Sequence, residues 1–529
     1  MRPRLRTIVL AILVTAISVP LFAQQQGVRM NWQTFIQDPA RVQSLRNAVA
    51  VMKSRNSADP KSAVYRTSWE YWGAMHGYFG PGSVFGTVEQ AIAQYNSSGG
   101  DPLLLPLYNG IKDTAPPDAI AQQVWGQCQH GTPWFFAWHR LYLYYFEQVL
   151  QKAANDPNLR LPYWDYTDPA NLAMPAPYST PTYFDGQGHI EANALNEPRR
   201  TPGWNPPGGN LLDATSTNIN DALKDKTFFD TPTGTGYQSD IEGNVHGYVH
   251  CTVVPCPGPD MGAVGYSAND PIFWAHHANI DRMWDCWTSL GNKNPTDASY
   301  LNKTFSFVDA DGNLVTNAVA DLFNGKIKFT YVYQQASNCA RPVTTLEAVP
   351  APSANLSPSA LEAARTKLAE PAVLAAVKNH VINAEVTRRK LTLAGGQLES
   401  VRSVAVRGND ALPVETELVL RNIQFDSHPG SQFNVILERR DDATKRVRVG
   451  TLSFFVSTNP HEGHSGAINR TFDVTDELRQ IGASSADLKD LNVVFEATTG
   501  RAGATESSFD ANDAKVTIGE IELRVKATE

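Results

Sequence analysis

Histidines are the residues of this sequence best suited to chemistry, and their grouping is typical of a metal site. Seven of the 12 histidines fall into three groups, which are His76 alone, His130 with His139, and His246, His250, His276 and His277. His246 and His250 are four residues apart, so both imidazoles would project from one face of a helix. His277 and Asp281 have the same spacing, which would let the carboxylate support the ligand or its helix.

The donor set narrows the choice of metal. Clusters of imidazoles without thiolate or carboxylate ligands suit zinc, copper, iron or nickel. A zinc protease is disfavoured, because the segment from His246 to His250 has Gly247 where that class needs a glutamate as general base. Six neutral imidazoles in two groups of three would instead hold a pair of copper ions with open positions for one O2 molecule.

The elements that must position these histidines lie in an aromatic-rich part of the chain, residues 24–340. Helical periodicity is present, for example, from Val42 to Met52 and from Leu141 to Leu150, and long loops rich in Pro, Gly and Asn separate such segments. We therefore expect residues 24–340 to form a mainly α-helical core with long irregular loops.

The rest of the chain has a different character. Residues 341–396 are rich in Ala, Pro and Ser, which predicts a linker with one or two amphipathic helices. Residues 397–529 alternate with a period of two in segments such as ETELVLRNIQF, QFNVILERR and KVTIGEIELRV, each bounded by turn residues. Several short strands at this spacing predict an antiparallel β-sandwich domain.

Composition and the first residues limit the partners and the compartment. The 529-residue chain has 45 Lys and Arg against 53 Asp and Glu, a net charge of −8, so nucleic acid is not an expected partner. Residues 1–23 combine a basic start, an apolar stretch shorter than a membrane span, and Ala23 before three glutamines. They predict a cleaved signal peptide and a secreted or periplasmic protein with no membrane anchor after cleavage.

Two long motifs around the histidines resemble those of a known family. HGTPWFFAWHRLYLYYFE, from His130 to Glu147, resembles the first copper signature of the tyrosinase, catechol oxidase and haemocyanin superfamily, and DPIFWAHHANID, from Asp270 to Asp281, resembles the second. The segments FNVILERR, GTLSFFV, DELRQIG and VTIGEIEL look like strands of the C-terminal domain of plant polyphenol oxidases. The resemblance covers nearly the whole mature chain and implies a four-helix bundle around two copper ions, Cu A and Cu B.

The resemblance implies a role for each histidine. The Cu A ligands would be His76, His130 and His139, and the Cu B ligands His246, His250 and His277. His276 matches a non-ligating position that borders the substrate pocket, and a packed residue behind the ligands is the alternative. Cys128 resembles the cysteine that is bonded through a thioether to the middle histidine ligand, His130, in fungal enzymes; a free buried cysteine is the alternative.

The same resemblance bears on the substrates. Glu242 occupies the position of a glutamate that orients a water for deprotonating monophenols, and a surface glutamate in a loop is the alternative. Some hydroxylating members have an Asn directly after the fourth ligand, where this chain has Gly247. Cys251 would shape the pocket rim if it is disulfide-bonded. Val264 stands where plant enzymes have a Phe over the second copper, which predicts access for bulkier phenols.

The five cysteines fit an exported protein. If Cys128 forms the thioether, the other four can form two disulfides in three possible connectivities, which the sequence leaves open. These four are Cys251, Cys256, Cys286 and Cys339.

The expected function is therefore a secreted dicopper polyphenol oxidase that uses O2 to oxidise o-diphenols to o-quinones, with hydroxylation of monophenols left open by Gly247. An o-aminophenol oxidase is the alternative enzyme, and an oxygen carrier of the haemocyanin type would use the same six histidines. The resemblance implies that the C-terminal domain, residues 397–529, is a lid that keeps the enzyme latent until it is cleaved or displaced. A permanent structural module is the alternative.

Overall fold

The computed structural model describes most of the chain that follows the predicted signal peptide. The described residues are 27–97, 105–205, 209–232, 234–334, 355–383, 385–393, 399–407, 412–425, 429–455, 468–483, 487–502 and 515–527. Residues 1–23 and Cys339 lie outside them. Among the described helices, none is long and apolar enough to cross a membrane.

The first part of the chain, to residue 334, consists mainly of helices joined by long loops. The helices are α1 (Trp32–Phe35), α2 (Pro39–Ser54), α3 (Ala63–Arg66), α4 (Trp69–His76), α5 (Val88–Ser97), α6 (Ala119–Val124), α7 (Phe135–Ala154), α8 (Ala176–Ser179), α9 (Asn220–Lys224), α10 (Tyr237–Asp240), α11 (Gly247–Val253), α12 (Ile272–Ser289) and α13 (Ala298–Leu301). A π-helical turn, Ile241–His246, joins α10 to α11 without a break. One large cluster of buried Trp, Tyr, Phe and aliphatic side chains holds these helices together.

Polar residues define the ends of the two helices that carry the first histidines. The Ser68 hydroxyl accepts a hydrogen bond from the backbone N–H of Tyr71, which caps the start of α4. Asn155 follows the end of α7 with a φ of 52°, a left-handed conformation that Asn tolerates better than most residues. Between these ends, α7 packs against α2 and α12, so His139 in α7 faces the interior of the core.

Short strands complete the first part. They are β1 (Gly27–Arg29), β2 (Thr182–Phe184), β3 (Ile190–Ala192), β4 (Thr304–Val308), β5 (Leu314–Ala318) and β6 (Tyr331–Tyr333). β1 pairs in parallel with β6, whereas β2 with β3 and β4 with β5 are antiparallel pairs. The β1–β6 pair joins the two ends of the core and buries Arg29, whose Nε lies 2.8 Å from Oε2 of Glu147 in α7.

Two antiparallel sheets form the C-terminal part. Its elements are α14 (Pro358–Lys367), β7 (Ala372–Ile382), β8 (Thr387–Lys390), β9 (Thr392–Leu393), α15 (Glu399–Arg407), β10 (Val414–Phe425), β11 (Gln432–Arg439), β12 (Arg446–Leu452), β13 (Ile468–Asp473), α16 (Thr475–Gln480), β14 (Leu491–Thr498) and β15 (Val516–Ala527). The strand orders are β13-β10-β15-β7-β9 and β12-β11-β14-β8. Alternate side chains of both sheets share a second hydrophobic cluster. The predicted order, a helical core followed by a β-rich part, is thereby confirmed.

Two predicted details differ from the structure. β7 and β8 lie inside residues 341–396, and β7 pairs with β15, so the sheet begins before the predicted end of the linker. β7 is rich in alanine, which has a low strand propensity, and the pairing with β15 determines its conformation. The DELRQIG segment contains helix α16 instead of a strand.

Candidate metal centre

The predicted metal ligands come together in two buried groups. His76 ends α4, His139 lies in α7, and His130 lies in the loop before α7. With Cys128 they form the first group, whose candidate ligand atoms all lie within 4.8 Å of one another. The second group, with the same spacing, contains His246, His250, His276 and His277. Each of these side chains is at most 2% exposed, so bulk water does not compete for them.

Backbone carbonyl groups fix the orientation of four of the imidazole rings. Hydrogen bonds join Nδ1 to the carbonyl oxygen of Val264 for His76 (2.6 Å), of Phe135 for His139 (2.7 Å), of Glu242 for His246 (3.1 Å) and of Met261 for His250 (2.9 Å). A carbonyl oxygen can only accept, so Nδ1 carries the proton in all four rings. The lone pair of Nε2 is then available to a metal ion.

The Nε2 atoms at this centre suit metal ions. Those of His130, His246, His250 and His277 are buried and have no hydrogen-bond partner among the described residues. Leaving a buried polar atom unsatisfied is costly, and a metal–nitrogen bond would remove that cost. The His139 and His277 rings stack with centroids 4.3 Å apart and planes inclined by 9°, so the two groups are in direct contact. Apart from the Cys128 thiol, the donors of the two adjacent groups are imidazoles, which fit a pair of copper ions.

Burial keeps these imidazoles neutral. It lowers the pKa of His246 to about 3, and the neighbouring His139 contributes in the same direction. Burial also lowers the pKa of His130, His250 and His277 well below the usual value. A neutral imidazole is the form that binds a metal, so the folded chain presents ligands that need no deprotonation at neutral pH.

Cys128 lies against the first group. Its Sγ is 3.1 Å from Nδ1 of His130 and 3.5 Å from Nε2 of His139. The thiol is free and fully buried, and burial raises its pKa well above the usual value. The cysteine is thus beside the ring to which the predicted thioether would bond, and the thioether itself stays a prediction.

Glu242 is buried beside the centre, not exposed in a loop. It lies in the π-helical turn, and its Oε1 accepts a hydrogen bond from the backbone N–H of Gly131 (2.6 Å). Burial raises the pKa of Glu242 to about 8, whereas the Gly131 N–H and the Arg470 guanidinium act in the opposite direction. A carboxyl group with this pKa gains and loses protons near neutral pH.

His276 lies inside the second group and is held from behind by Tyr166. The Tyr166 hydroxyl and His276 Nδ1 are 2.8 Å apart, and the His276 ring lies nearly parallel to that of His246 at 5.3 Å. The Nε2 of His276 is buried and has no hydrogen-bond partner within the described part of the chain. His276 therefore borders the centre, and its contact with Tyr166 was not predicted from the sequence.

Asp281 supports helix α12 and does not contact the ring of His277 by a hydrogen bond. Its Oδ1 accepts from Nε of Arg140 (2.5 Å), and its Oδ2 accepts from the Tyr333 hydroxyl (2.7 Å). Nδ1 of His277 is buried without a hydrogen-bond partner among the residues described. The sequence predicted that this carboxylate supports either the His277 ring or its helix. In the structure it anchors the helix.

Three of the described cysteines are oxidised. Cys251 and Cys256 form a disulfide, and Cys286 is also disulfide-bonded. The first bond excludes two of the three connectivities that the sequence left open. Cys251 and Cys256 share a small hydrophobic cluster with Val264 and Phe455, which puts the disulfide next to the residue predicted to be the gate.

Phe455 is a residue of the centre that the sequence did not indicate. It follows β12 in the C-terminal part, and its ring centroid lies 5.5 Å from that of His246 and 5.9 Å from that of His130. Along the sequence it belongs to an apolar run that would suit any strand of a sheet. Only the packing of the two parts of the chain brings this ring to the histidines.

Comparison with known proteins agrees with this arrangement. The family model described as the common central domain of tyrosinase matches residues 66–210 and 198–290. Tyrosinase HcTyr1 of Hahella sp. (strain CCB-MM4) is 27% identical over 460 residues, which cover 82% of this chain and 87% of that protein. The chloroplastic polyphenol oxidase of Malus domestica is 30% identical over 393 residues, covering 68% of this chain and 63%, less than two thirds, of the plant enzyme.

Solved structures share the fold at low sequence identity. Latent aurone synthase (polyphenol oxidase) from natural source aligns with a TM-score of 0.54 and 18% identity over 95% of this chain and 91% of that chain. The recombinantly expressed latent aurone synthase gives a TM-score of 0.53. Proteins of the tyrosinase family carry two copper ions, which the two buried histidine groups fit. The chain therefore belongs to the tyrosinase family of copper-dependent oxidoreductases.

Proposed function

We propose that this protein uses O2 to oxidise o-diphenols to o-quinones at a pair of copper ions, and that its C-terminal part keeps it latent. Cu A would be held by His76, His130 and His139, and Cu B by His246, His250 and His277. When bound, the copper pair supplies the O2 chemistry and accepts the two electrons that the diphenol loses. The finer description, a four-helix bundle and a β-sandwich lid, stays a prediction.

One observation carries this proposal: two adjacent groups of neutral, buried imidazoles whose rings are fixed from behind. In four of them a backbone carbonyl holds the Nδ1 proton, which directs Nε2 away from that carbonyl. Rigid ligand rings need little reorganisation when a metal changes its charge. The contact between the His139 and His277 rings keeps the two groups close enough to act on one small molecule.

The residues around the second group would then orient the phenol. Val264 and the Cys251–Cys256 disulfide form an apolar wall, which suits an aromatic ring. Glu242 would accept the proton of a monophenol at a carboxylate oxygen, directly or through a water. Because Gly247 contributes no side chain to share that water, we expect diphenol oxidation to exceed monophenol hydroxylation.

The C-terminal part would act as the lid of this pocket. In support, the Tyr248 hydroxyl of α11 donates to the carbonyl oxygen of Gly500 (2.6 Å), and Gln432 Nε2 donates to Oγ1 of Thr252 (3.0 Å). Phe455 extends from the same side onto the histidines. We therefore expect substrates to be excluded until the C-terminal part is cleaved off or displaced. Export through the signal peptide of residues 1–23 to a secreted or periplasmic location belongs to the same proposal.

The test is oxygen uptake and quinone absorbance of copper-loaded protein before and after limited proteolysis. L-DOPA, L-tyrosine and o-aminophenol are the substrates, and His246→Ala, which removes one Cu B ligand, is the inactive control. We expect L-DOPA oxidation to appear or rise on cleavage, with little turnover of L-tyrosine. Turnover of o-aminophenol alone would indicate that the protein is an o-aminophenol oxidase and not a diphenol oxidase. Reversible O2 binding without turnover would indicate an oxygen carrier.

A further inference from the structure

Two glycines on one segment of the core are covered by side chains of the C-terminal part. A Cβ atom built on Gly243 in the π-helical turn would lie 2.4 Å from Cζ of Arg470. A Cβ atom on Gly247, at the start of α11, would lie 3.1 Å from Oγ of Ser453 and 3.4 Å from Cβ of Phe455. The two glycines are four residues apart and both meet the C-terminal part, so they form one recess, here called the glycine notch.

Backbone conformation does not explain these glycines. Gly247 has a φ of −63° and a ψ of −35°, values that any residue adopts in a helix, and Gly243 is not among the glycines with positive φ. Alanine would stabilise a helix at both positions, because glycine loses more backbone entropy on folding. What alanine cannot provide here is space for Arg470 and for the Ser453–Phe455 segment.

The occupant of the notch at Gly243 is a buried arginine. Arg470 lies in β13 and is buried, and its Nη1 donates to the carbonyl oxygen of Asn469 (2.8 Å). Burial lowers the pKa of Arg470, while the negative charges of Asp240, Asp230 and Glu242 act to raise it. These three carboxylates belong to the core, so Arg470 carries a charge of the C-terminal part into an acidic region beside the metal centre.

We propose that the glycine notch is the docking site that holds the C-terminal part closed, with Arg470 seated on Gly243 and the Ser453–Phe455 segment on Gly247. This inference deepens the proposed function and rests on its assignment of the C-terminal part as a lid. The two contacts are on the segment that carries His246 and His250. Filling the notch from the core side therefore opens the protein without any change to the C-terminal part.

Hydrogen exchange on the copper-free, full-length protein tests the proposal. Gly243→Ala and Gly247→Ala are compared with Gly186→Ala, since a Cβ at Gly186 meets nothing within 4 Å. Overpacking penalties convert to roughly a five- to hundredfold shift in an equilibrium. The added Cβ of Gly243→Ala meets the guanidinium end of Arg470, which shifts more easily than backbone, so we expect amide exchange in residues 241–253 to speed up about fivefold, the lower end of that range. Gly247→Ala, which meets side-chain atoms at longer distances, should have a smaller effect, and Gly186→Ala none.

Unchanged exchange in residues 241–253 for both notch variants would overturn the proposal. Exchange in α2, which packs against α4 and α7, is the internal reference. If Gly243→Ala also speeds exchange in α2, the core itself has loosened, and the comparison of exchange in residues 241–253 with exchange in α2 is then made for Gly247→Ala instead. Because no copper is present, the result does not depend on the oxidase activity. The two proposals can fail separately. If substitution in the notch opens the protein but the cleaved protein oxidises no phenol, the docking site is supported and the proposed oxidase activity is refuted.

Discussion

The ring of Phe455 lies parallel to the imidazole of His250, with the two centroids 3.9 Å apart and the planes inclined by 11°. Phe455 belongs to the C-terminal part and His250 to helix α11 of the core. Flat aromatic rings that stack at this distance are in van der Waals contact. An aromatic side chain of the chain itself thus occupies the position over the second histidine group that a phenol ring would need.

Substitution of Phe455 by alanine is expected to give activity without proteolysis. Removing the ring opens the space over His250 while most contacts between the two parts of the chain remain. We expect uncleaved, copper-loaded Phe455→Ala to oxidise L-DOPA at least about tenfold faster than the uncleaved parent, the effect of about 1.4 kcal/mol. Initial rates of oxygen uptake measure this.

The matched control for that variant is Phe184→Ala. Phe184 is 74% exposed on the β2–β3 hairpin, and its loss should leave the latent rate unchanged. The same rates are also compared after cleavage, where Phe455→Ala and the parent should converge. A latent rate equal to that of the parent would show that Phe455 does not exclude the substrate.

The Cys128 thiol is expected to disappear when copper and O2 are supplied. Its Sγ is 3.1 Å from Nδ1 of His130, the atom bonded to the ring carbon that would take the sulfur. Forming the C–S bond would remove one hydrogen from each partner, and the supplied O2 would take up the two electrons and two protons as hydrogen peroxide. Thiol titration of the unfolded protein should therefore find one free thiol before copper treatment and none afterwards. A thiol that titrates equally in both samples would refute the thioether.

Acid should destabilise the copper-free protein through its buried histidines. Burial lowers the pKa of His246 to about 3 in the fold, against about 6.5 in an unfolded chain. The unfolded state therefore binds more protons, so this contribution to stability is complete above about pH 6.5 and is lost as the pH falls towards 3. Each such histidine gives a slope of about 1.4 kcal/mol per pH unit. The free energy of unfolding in urea, measured at several pH values, reports the slope.

Two variants separate this cause from a general effect of acid. His246→Gln removes one buried imidazole. It should therefore reduce the slope of the unfolding free energy by about 1.4 kcal/mol per pH unit, the contribution of one proton. His189→Gln is the control, because the His189 side chain is 66% exposed and pairs with Asp185 on the surface. Equal slopes for the parent and His246→Gln would contradict the buried, neutral state of that ring.

The helical core and the grouping of its histidines were predictable because their signals are local. A spacing of four residues relates His246 to His250, and the helix periodicity around Leu141 to Leu150 recurs in α7 (Phe135–Ala154). Such patterns depend on neighbours within two turns of a helix. The Nδ1 partners of the rings were not predictable from local patterns. The Val264 carbonyl, for example, accepts from His76 although the two residues are 188 positions apart in the sequence.

Less of the C-terminal part than of the core could be predicted from the sequence. Period-two alternation located β10, β11 and β15, but β7 lies in an Ala-, Pro- and Ser-rich stretch that predicts a linker with helices. Which side chain would face the metal centre was beyond the sequence, since the contact between Phe455 and His250 joins residues 205 positions apart in different parts of the fold. Asp281 illustrates the same limit, because its partners Arg140 and Tyr333 are remote in sequence.

Enlarging Val264 should restrict the substrates of the opened enzyme. Val264 is buried in the cluster that contains Cys251 and Phe455, so a phenylalanine there would project into the space that Phe455 leaves after cleavage. We expect cleaved Val264→Phe to lose about tenfold in kcat/KM for a bulky diphenol relative to catechol, mainly through KM. A small steric change in an apolar pocket gives an effect of this size.

The control is Val332→Phe, on a 43% exposed valine, which should keep the kcat/KM ratio of the parent. The substitution leaves the Val264 carbonyl that bonds to His76 in the backbone, so copper content should not change. If both variants show the same ratio of kcat/KM values for the two diphenols, Val264 is not the gate of this pocket.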